Sequence, residues 1–305
     1  MKKLRLPATL CVLVFLLLPG GIPLPSAAAA VPRQQVIMVL VNRLGYEDLR
    51  DAQLPGIRQL AQRGACGLMI VKTAGVPRDP SAYLTLGAGT PAAAPQAAGR
   101  NFNAAEEPEP AVSARDVYFR NTGFQAPPEA VVQIAPGVLL ESNARLDHPV
   151  LPGALGECIR RAGKKTAVIG TSDNKMEQAE RWAPLVAMDG RGLVDAGDVG
   201  NDLLLADPLA PFGSRTDYAR LERRLAALRD RADLIVVETG DLYRLAMVEG
   251  EMLSAQAAAA RRQALRRVDA FVGRLLPWID RHTLIMLVSP LPPPAALKSG
   301  ARFTP

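Results

Sequence analysis

Residues 36–41 read VIMVLV, an unbroken apolar run rich in β-branched side chains, set between polar Gln34 and Gln35 on one side and Asn42 and Arg43 on the other. A strand with one wet face alternates apolar and polar residues, whereas an unbroken run marks a strand covered on both faces. Coverage on both faces implies a parallel sheet with helices above and below it. The residues that follow agree. In residues 54–64, LPGIRQLAQRG, Leu54, Ile57, Leu60 and Ala61 fall at helical spacing and the pattern stops at Gly64, a C-terminal cap. Residues 68–71, LMIV, offer a second strand.

The alternation returns downstream. Residues 154–163 (ALGECIRRAG) read as a helix and 166–170 (TAVIG) as a strand. Residues 218–232 (YARLERRLAALRDRA) are again helical, 233–238 (DLIVVE) a strand, 255–279 a long helix and 283–289 (TLIMLVS) a strand. Strands that alternate with helices define an α/β domain with a doubly wound, mostly parallel sheet and helices on both faces. The pattern breaks between residues 88 and 152, which are rich in Pro and Ala, carry the acidic patch EEPE at 106–109, and hold a short helix near 113–121. A structureless loop of that length is foreign to a compact domain, so the segment is expected to be an irregular, cap-like insert over the top of the sheet. Residues 189–214 form a second irregular stretch. Aromatic residues make up only 5% of the chain, so the core must be aliphatic.

Residues 1–30 are a different kind of sequence. Lys2, Lys3 and Arg5 precede the apolar run ATLCVLVFLLL at 8–18, followed by Pro19, Gly20 and Gly21 and then by Ser26 and four alanines. This order is that of a secretory signal cut near residues 28–30. The apolar run falls short of the roughly 20 residues that span a bilayer as a helix; retention as an anchor through residues 8–30 is the alternative. Either way residues 31–305 are expected to work outside the cytoplasm, secreted or in the cell envelope. Cleavage removes three of the 36 basic residues and none of the 30 acidic ones. The remaining charge is small, and no basic run is interleaved with aromatics, so nucleic acid is not a partner. Cys66 and Cys158 are expected to be buried free thiols, with a disulfide between them left open.

Ligands of open α/β sheets bind beyond the carboxyl ends of the strands. The residues there are Asn42 and Arg43, Thr73 to Gly75, residues 170–174 (GTSDN), residues 238–241 (ETGD), and Ser289 with Pro290. Each has a plain structural reading: Asp241 as a helix N-cap, Asn42 as a turn residue, Thr73 and Ser81 as loop or cap hydroxyls, Asp173 and Asn174 as an Asx turn. His148 reads as a surface loop residue, the acidic patch as a solvated loop, and the arginine-rich face of the long helix (Arg261, Arg262, Arg266, Arg267, Arg274) as solvated surface.

The order of these segments resembles the alkaline phosphatase superfamily, whose fold is shared by nucleotide pyrophosphatases, sulfatases and cofactor-independent phosphoglycerate mutases. The resemblance rests on LPGIRQLAQRGACG after the first strand, TAGVPRDPSAYLTLGAGT at residues 73–90, LGECIRRAGKKTAVIG, and LIVVETGD followed by a long helix and LIMLVS. It implies two divalent ions, Zn or Mn, that activate a Ser or Thr nucleophile on a phosphoryl or sulfuryl ester. Residue by residue, Asn42 stands where the family has a metal-binding Asp. Asp241 fits the first ligand of its Asp-x-x-x-His pattern, but Leu245 takes the His position, and Ser289 and Pro290 replace an Asp-His pair. Thr73 and Ser81 flank Arg78, which falls near the expected nucleophile. The chain ends at Pro305, before the family's last His and closing strands. The expectation is therefore an exported, alkaline-phosphatase-like pseudoenzyme without a complete metal centre or other cofactor, with a binding or structural role in the envelope. The alternative is an active metal-dependent phosphoryl or sulfuryl hydrolase using Asn42, Thr73 and Asp241 with atypical ligands such as Asp173. An envelope protein or a phosphorylated small molecule is the corresponding partner.

Overall fold

A computed structural model describes residues 33–174 and 179–305; the expected export signal lies outside them. Five parallel strands form the central sheet: β1 (Gln35–Leu40), β2 (Thr166–Ile169), β3 (Ala196–Asp198), β4 (Leu234–Glu238) and β5 (Thr283–Val288), in the order β5-β1-β4-β2-β3. The doubly wound α/β class read from the sequence is thus the observed one. Because successive side chains of a strand point to opposite faces, the apolar run of β1 feeds two cores. Ile37, Val39 and Val41 join Ile169, Ile235, Val237 and Ile285 on one face, beneath α1 (Pro55–Arg63), α4 (Tyr218–Leu228) and α6 (Ser254–Leu275). Leu40, Val168, Leu234 and Val236 line the other, under α2 (Asp79–Ala88), the short helix Pro184–Ala187 and α3 (Ala154–Arg161).

Packing on the first face is close enough to require glycine. A Cβ on Gly56 would stand 2.5 Å from the Asp269 carbonyl oxygen of α6. The same Asp269, buried, accepts the Ile57 N–H at 2.7 Å and so caps α1 from the neighbouring helix.

Residues 88–152 are ordered into elements of their own. Strands Asn101–Asn103 and Val131–Gln133 pair antiparallel, and the latter also pairs with Leu193–Val194 from the second irregular stretch. Helix Ala114–Thr122, with Ser113 at its N-cap, covers this small sheet through Val117 and Tyr118. The unit flanks the edge strand β3, where the Gly197 N–H donates to the Glu129 carbonyl and Asn103 Nδ2 to Asp198 Oδ1.

Several expectations need correction. The strand expected at 68–71 shrinks to Met69–Ile70 and pairs with Phe303–Thr304 outside the central sheet; Leu68 and Ile70 are exposed, and only Val71 is buried, in a small cluster with Ala82 and Leu291. Cys66 and Cys158 are exposed, unpaired thiols, not buried ones. The arginine face of α6 is not simply solvated: Arg261 binds Asp48 and the Arg43 carbonyl, Arg266 binds Gln53, Arg267 binds Asp241, and Arg274 binds Glu222. Within the acidic patch, Glu106 accepts from buried Arg181 at 2.7 Å and Glu109 from Arg120. His148 is half-buried, its Nε2 2.7 Å from the Pro91 carbonyl. Among the described residues no helix is long and apolar enough to cross a membrane.

Candidate functional site

The polar residues beyond β1, β2 and β4 are nearly all buried, and their hydrogen bonds sort them into linked groups. Around Asp79, at the start of α2, the Asn42 amide donates to Oδ1 at 2.6 Å and Arg43 Nη2 bridges both carboxylate oxygens at 2.8 and 2.6 Å. Arg43 has a φ of 70°, in the left-handed region that costs a residue with a Cβ on the order of 1–2 kcal/mol. Three bonds hold it there: its N–H to the Leu291 carbonyl, its own carbonyl to Arg261, and its guanidinium to Asp79.

Glu238, the last residue of β4, is fully buried. Its carboxylate accepts the Ser172 hydroxyl at 2.7 Å and the Ala183 N–H at 3.2 Å. Burial pushes its pKa up to about 7 in spite of these bonds. The β2 and β4 ends approach so closely that a Cβ on Gly170, itself at φ +104°, would lie 2.1 Å from the Glu238 carbonyl oxygen.

Asp173 receives Arg181 Nε at 3.2 Å, while its N–H bonds the Thr171 hydroxyl; the residues that would close the expected Asx turn lie outside the described ones. Asn174 donates to Glu180 at 2.7 Å. Burial, with Asp173 and Asp79 nearby, raises Glu180 to about 6.

Asp241 opens helix α5 (Asp241–Val248), for which Gly240 is the N-cap. Its Oδ1 accepts the Thr216 N–H at 2.8 Å and Arg244 Nη2 at 2.7 Å, and its Oδ2 faces Arg267 at 3.4 Å. Burial alone would raise this carboxyl, but the Arg244 charge, the Thr216 N–H and Arg267 outweigh it and hold it below the usual carboxylate range. Arg244 is itself 1% exposed and also donates to the Thr171 and Asp173 carbonyls and the Thr216 hydroxyl.

The candidate residues are therefore not gathered around one reacting centre. Thr73 donates weakly to the Gly75 carbonyl at 3.3 Å, and Ser81 accepts the Ala94 N–H at 3.0 Å. Each hydroxyl braces a loop, and neither is hydrogen-bonded to an activating base among the described residues. Asn42 and Asp241 sit in separate groups, one on Asp79 and the other on Arg244. Ser289 bonds the Leu44 N–H and the Leu291 carbonyl.

These donors do not fit a pair of divalent ions. The guanidiniums of Arg43, Arg181, Arg244 and Arg267 keep their charge at any physiological pH and take the negative charge of Asp79, Asp173 and Asp241. No group of three or more His, Cys, Asp or Glu among the described residues is arranged to hold a metal. At the two expected ligand positions, the Asn42 Oδ1 is buried without a hydrogen-bond partner among the described residues.

Sequence reasoning passed over Asp79, Glu180, Arg181 and Arg244. The signal for Arg244 was present, since Asp241 and Arg244 are three apart on a helix and face each other there.

No family model matches this chain, and none of the curated proteins matches it. Among solved structures it is similar to the PH0037 protein from Pyrococcus horikoshii, with a TM-score of 0.43 and 13% identity over 86% of this chain and 80% of that one.

Proposed function

We propose that the chain is an exported α/β domain of alkaline-phosphatase-like layout whose strand ends serve binding in place of metal-dependent catalysis. One observation carries the reading. At the two positions where the resemblance expects metal ligands, Asp241 is clasped by Arg244 and Arg267, and Asn42 shares Asp79 with Arg43. Two divalent ions need several anionic ligands around them, and here Asp79 and Asp241 are matched to fixed positive charges. Residues 1–30 support a place in the cell envelope.

The test is turnover of phosphate monoesters, phosphate diesters and sulfate esters by the purified protein with Mn or Zn. The reading expects rates no greater than those of the Asp241→Asn variant. Metal-dependent turnover that Asp241→Asn abolishes, in a variant that still unfolds cooperatively, would overturn it. Fractionation of cells carrying the full chain tests the export component.

A further inference from the structure

Met69–Ile70 and Phe303–Thr304 form a two-stranded antiparallel ribbon outside the central sheet, with Ile70 directly opposite Phe303. Partners that face each other across a strand pair point to the same side. One side of this ribbon turns inward: Val71 is buried in a cluster with Ala82 and Leu291, and Thr304 is buried too. The other side turns to solvent, and it is the apolar one. Leu68, Ile70 and Phe303 are 60%, 57% and 56% exposed. Leu68 and Ile70 alternate with Met69 and Val71 as side chains of an extended chain do, and exposed Lys72 continues the outward row.

A single exposed apolar side chain is ordinary, but three large ones in a row mark a surface that meets something. The charges beside the row narrow what that is. Residues 64–78 and 283–305 carry four charged residues, Lys72, Arg78, Lys298 and Arg302, and all four are basic. Each is exposed. The acidic residues that flank these two segments are occupied, Asp79 by Arg43 and Asp280 by the His282 and Thr283 N–H groups. Unmatched cations beside an apolar row fit a surface of anionic lipid, where apolar side chains enter below the headgroups and Lys and Arg reach the phosphates. A second copy of this chain would set cation against cation. An acidic protein would match the charge, but the export signal expected in residues 1–30 brings the chain to a bilayer.

We infer that the outward side of this ribbon rests on an anionic bilayer, with Leu68, Ile70 and Phe303 entering at the level of the headgroups and Lys72 and Arg302 on the lipid phosphates. The preference for lipid over an acidic protein rests on the export component of the reading above, whereas the charge pattern does not. Vesicles added to purified protein test the surface without any export step, so the two fail separately. The metal stoichiometry is untouched by either outcome.

The experiment is hydrogen–deuterium exchange of the full chain with vesicles of equimolar phosphatidylcholine and phosphatidylglycerol. Vesicles of phosphatidylcholine alone and soluble polyglutamate are run in parallel. Exchange is followed at residues 64–76 and 298–304, so that any insertion of residues 8–18 is registered separately. Slower exchange at these two segments with the anionic vesicles alone is the expected result, and high salt should reverse it. Lys72→Gln combined with Arg302→Gln should raise the lipid concentration for half-maximal slowing by roughly 30-fold. Ile70→Ser combined with Phe303→Ser, which replaces two exposed side chains, should raise it by about tenfold or more. No slowing with anionic vesicles, equal slowing with phosphatidylcholine or with polyglutamate, or an unchanged midpoint in both variants would overturn the proposal.

Discussion

Replacing Glu238 by Gln should make the protein more stable at alkaline pH and leave it nearly unchanged in acid. Glu238 is fully buried and its pKa stands at about 7, against 4.5 for the exposed group. The native state therefore binds this proton more tightly than the unfolded chain does. Between pH 4.5 and 7 the folded protein holds more protons than the unfolded one, so stability falls as pH rises through that window, and the loss is complete above it. At 1.36 kcal/mol per pKa unit the cost is on the order of 3 kcal/mol. The amide keeps the shape of the carboxyl group and stays neutral. Its oxygen can accept the Ala183 N–H and its nitrogen can donate to the Ser172 hydroxyl, which rotates to receive it. Urea unfolding of both proteins at pH 5, 6, 7 and 8 reads the difference. The midpoints should coincide near pH 5 and separate by about 1 M at pH 8, with the variant higher. Glu180 titrates in the same direction in both proteins and cancels in the comparison. Parallel pH profiles, or a variant less stable at pH 8, would refute the argument that an uncompensated buried carboxyl sits at the end of β4.

Other substitutions probe the remaining groups. Asp79→Asn removes the counter-charge of a buried Arg43 held at positive φ, and should lower stability by about 3 kcal/mol in denaturant melts; Arg43→Gly added to it should recover most of that loss. Gly170→Ala forces a methyl group to within 2.1 Å of the Glu238 carbonyl oxygen in a left-handed backbone, and is expected to abolish soluble expression. Asp269→Ala strips the cap that α6 lends to α1, and should cost about 1 kcal/mol, with faster amide exchange confined to the first turn of α1.

Four of the five central strands were legible because they are short, largely apolar runs, and such runs have few alternatives once helices of matching amphipathicity lie between them; β3, AGD at 196–198, lay in the stretch read as irregular because its three residues carry no apolar pattern. VIMVLV and LIVVE became neighbouring strands in register, with Val39 opposite Val237. The flanking unit was harder to read. Its strands are two or three residues long and owe their pairing to distant partners, as when Leu193–Val194 completes a sheet begun at Asn101. Residues 68–71 failed as a central strand because apolar character marks burial only where a second surface is available.

The residues beyond the strand ends are buried polar groups in the structure, and their pairing depends on residues outside the strands. Asp79 lies behind Arg78 at the start of a helix, and Arg181 reaches Asp173 from eight residues further along the chain. Periodicity carries no record of such pairings. Only Asp241 and Arg244, three residues apart on one helix, could have been matched from sequence.

The most direct test of the metal-free reading is metal stoichiometry. Protein equilibrated with Zn or Mn and then dialysed against buffer without metal can be analysed by inductively coupled plasma spectrometry beside Asp241→Asn. With Arg244 and Arg267 holding Asp241, and Arg43 holding Asp79, both proteins should retain the same small, substoichiometric amount. Retention of two ions per chain, lost in Asp241→Asn, would contradict the account.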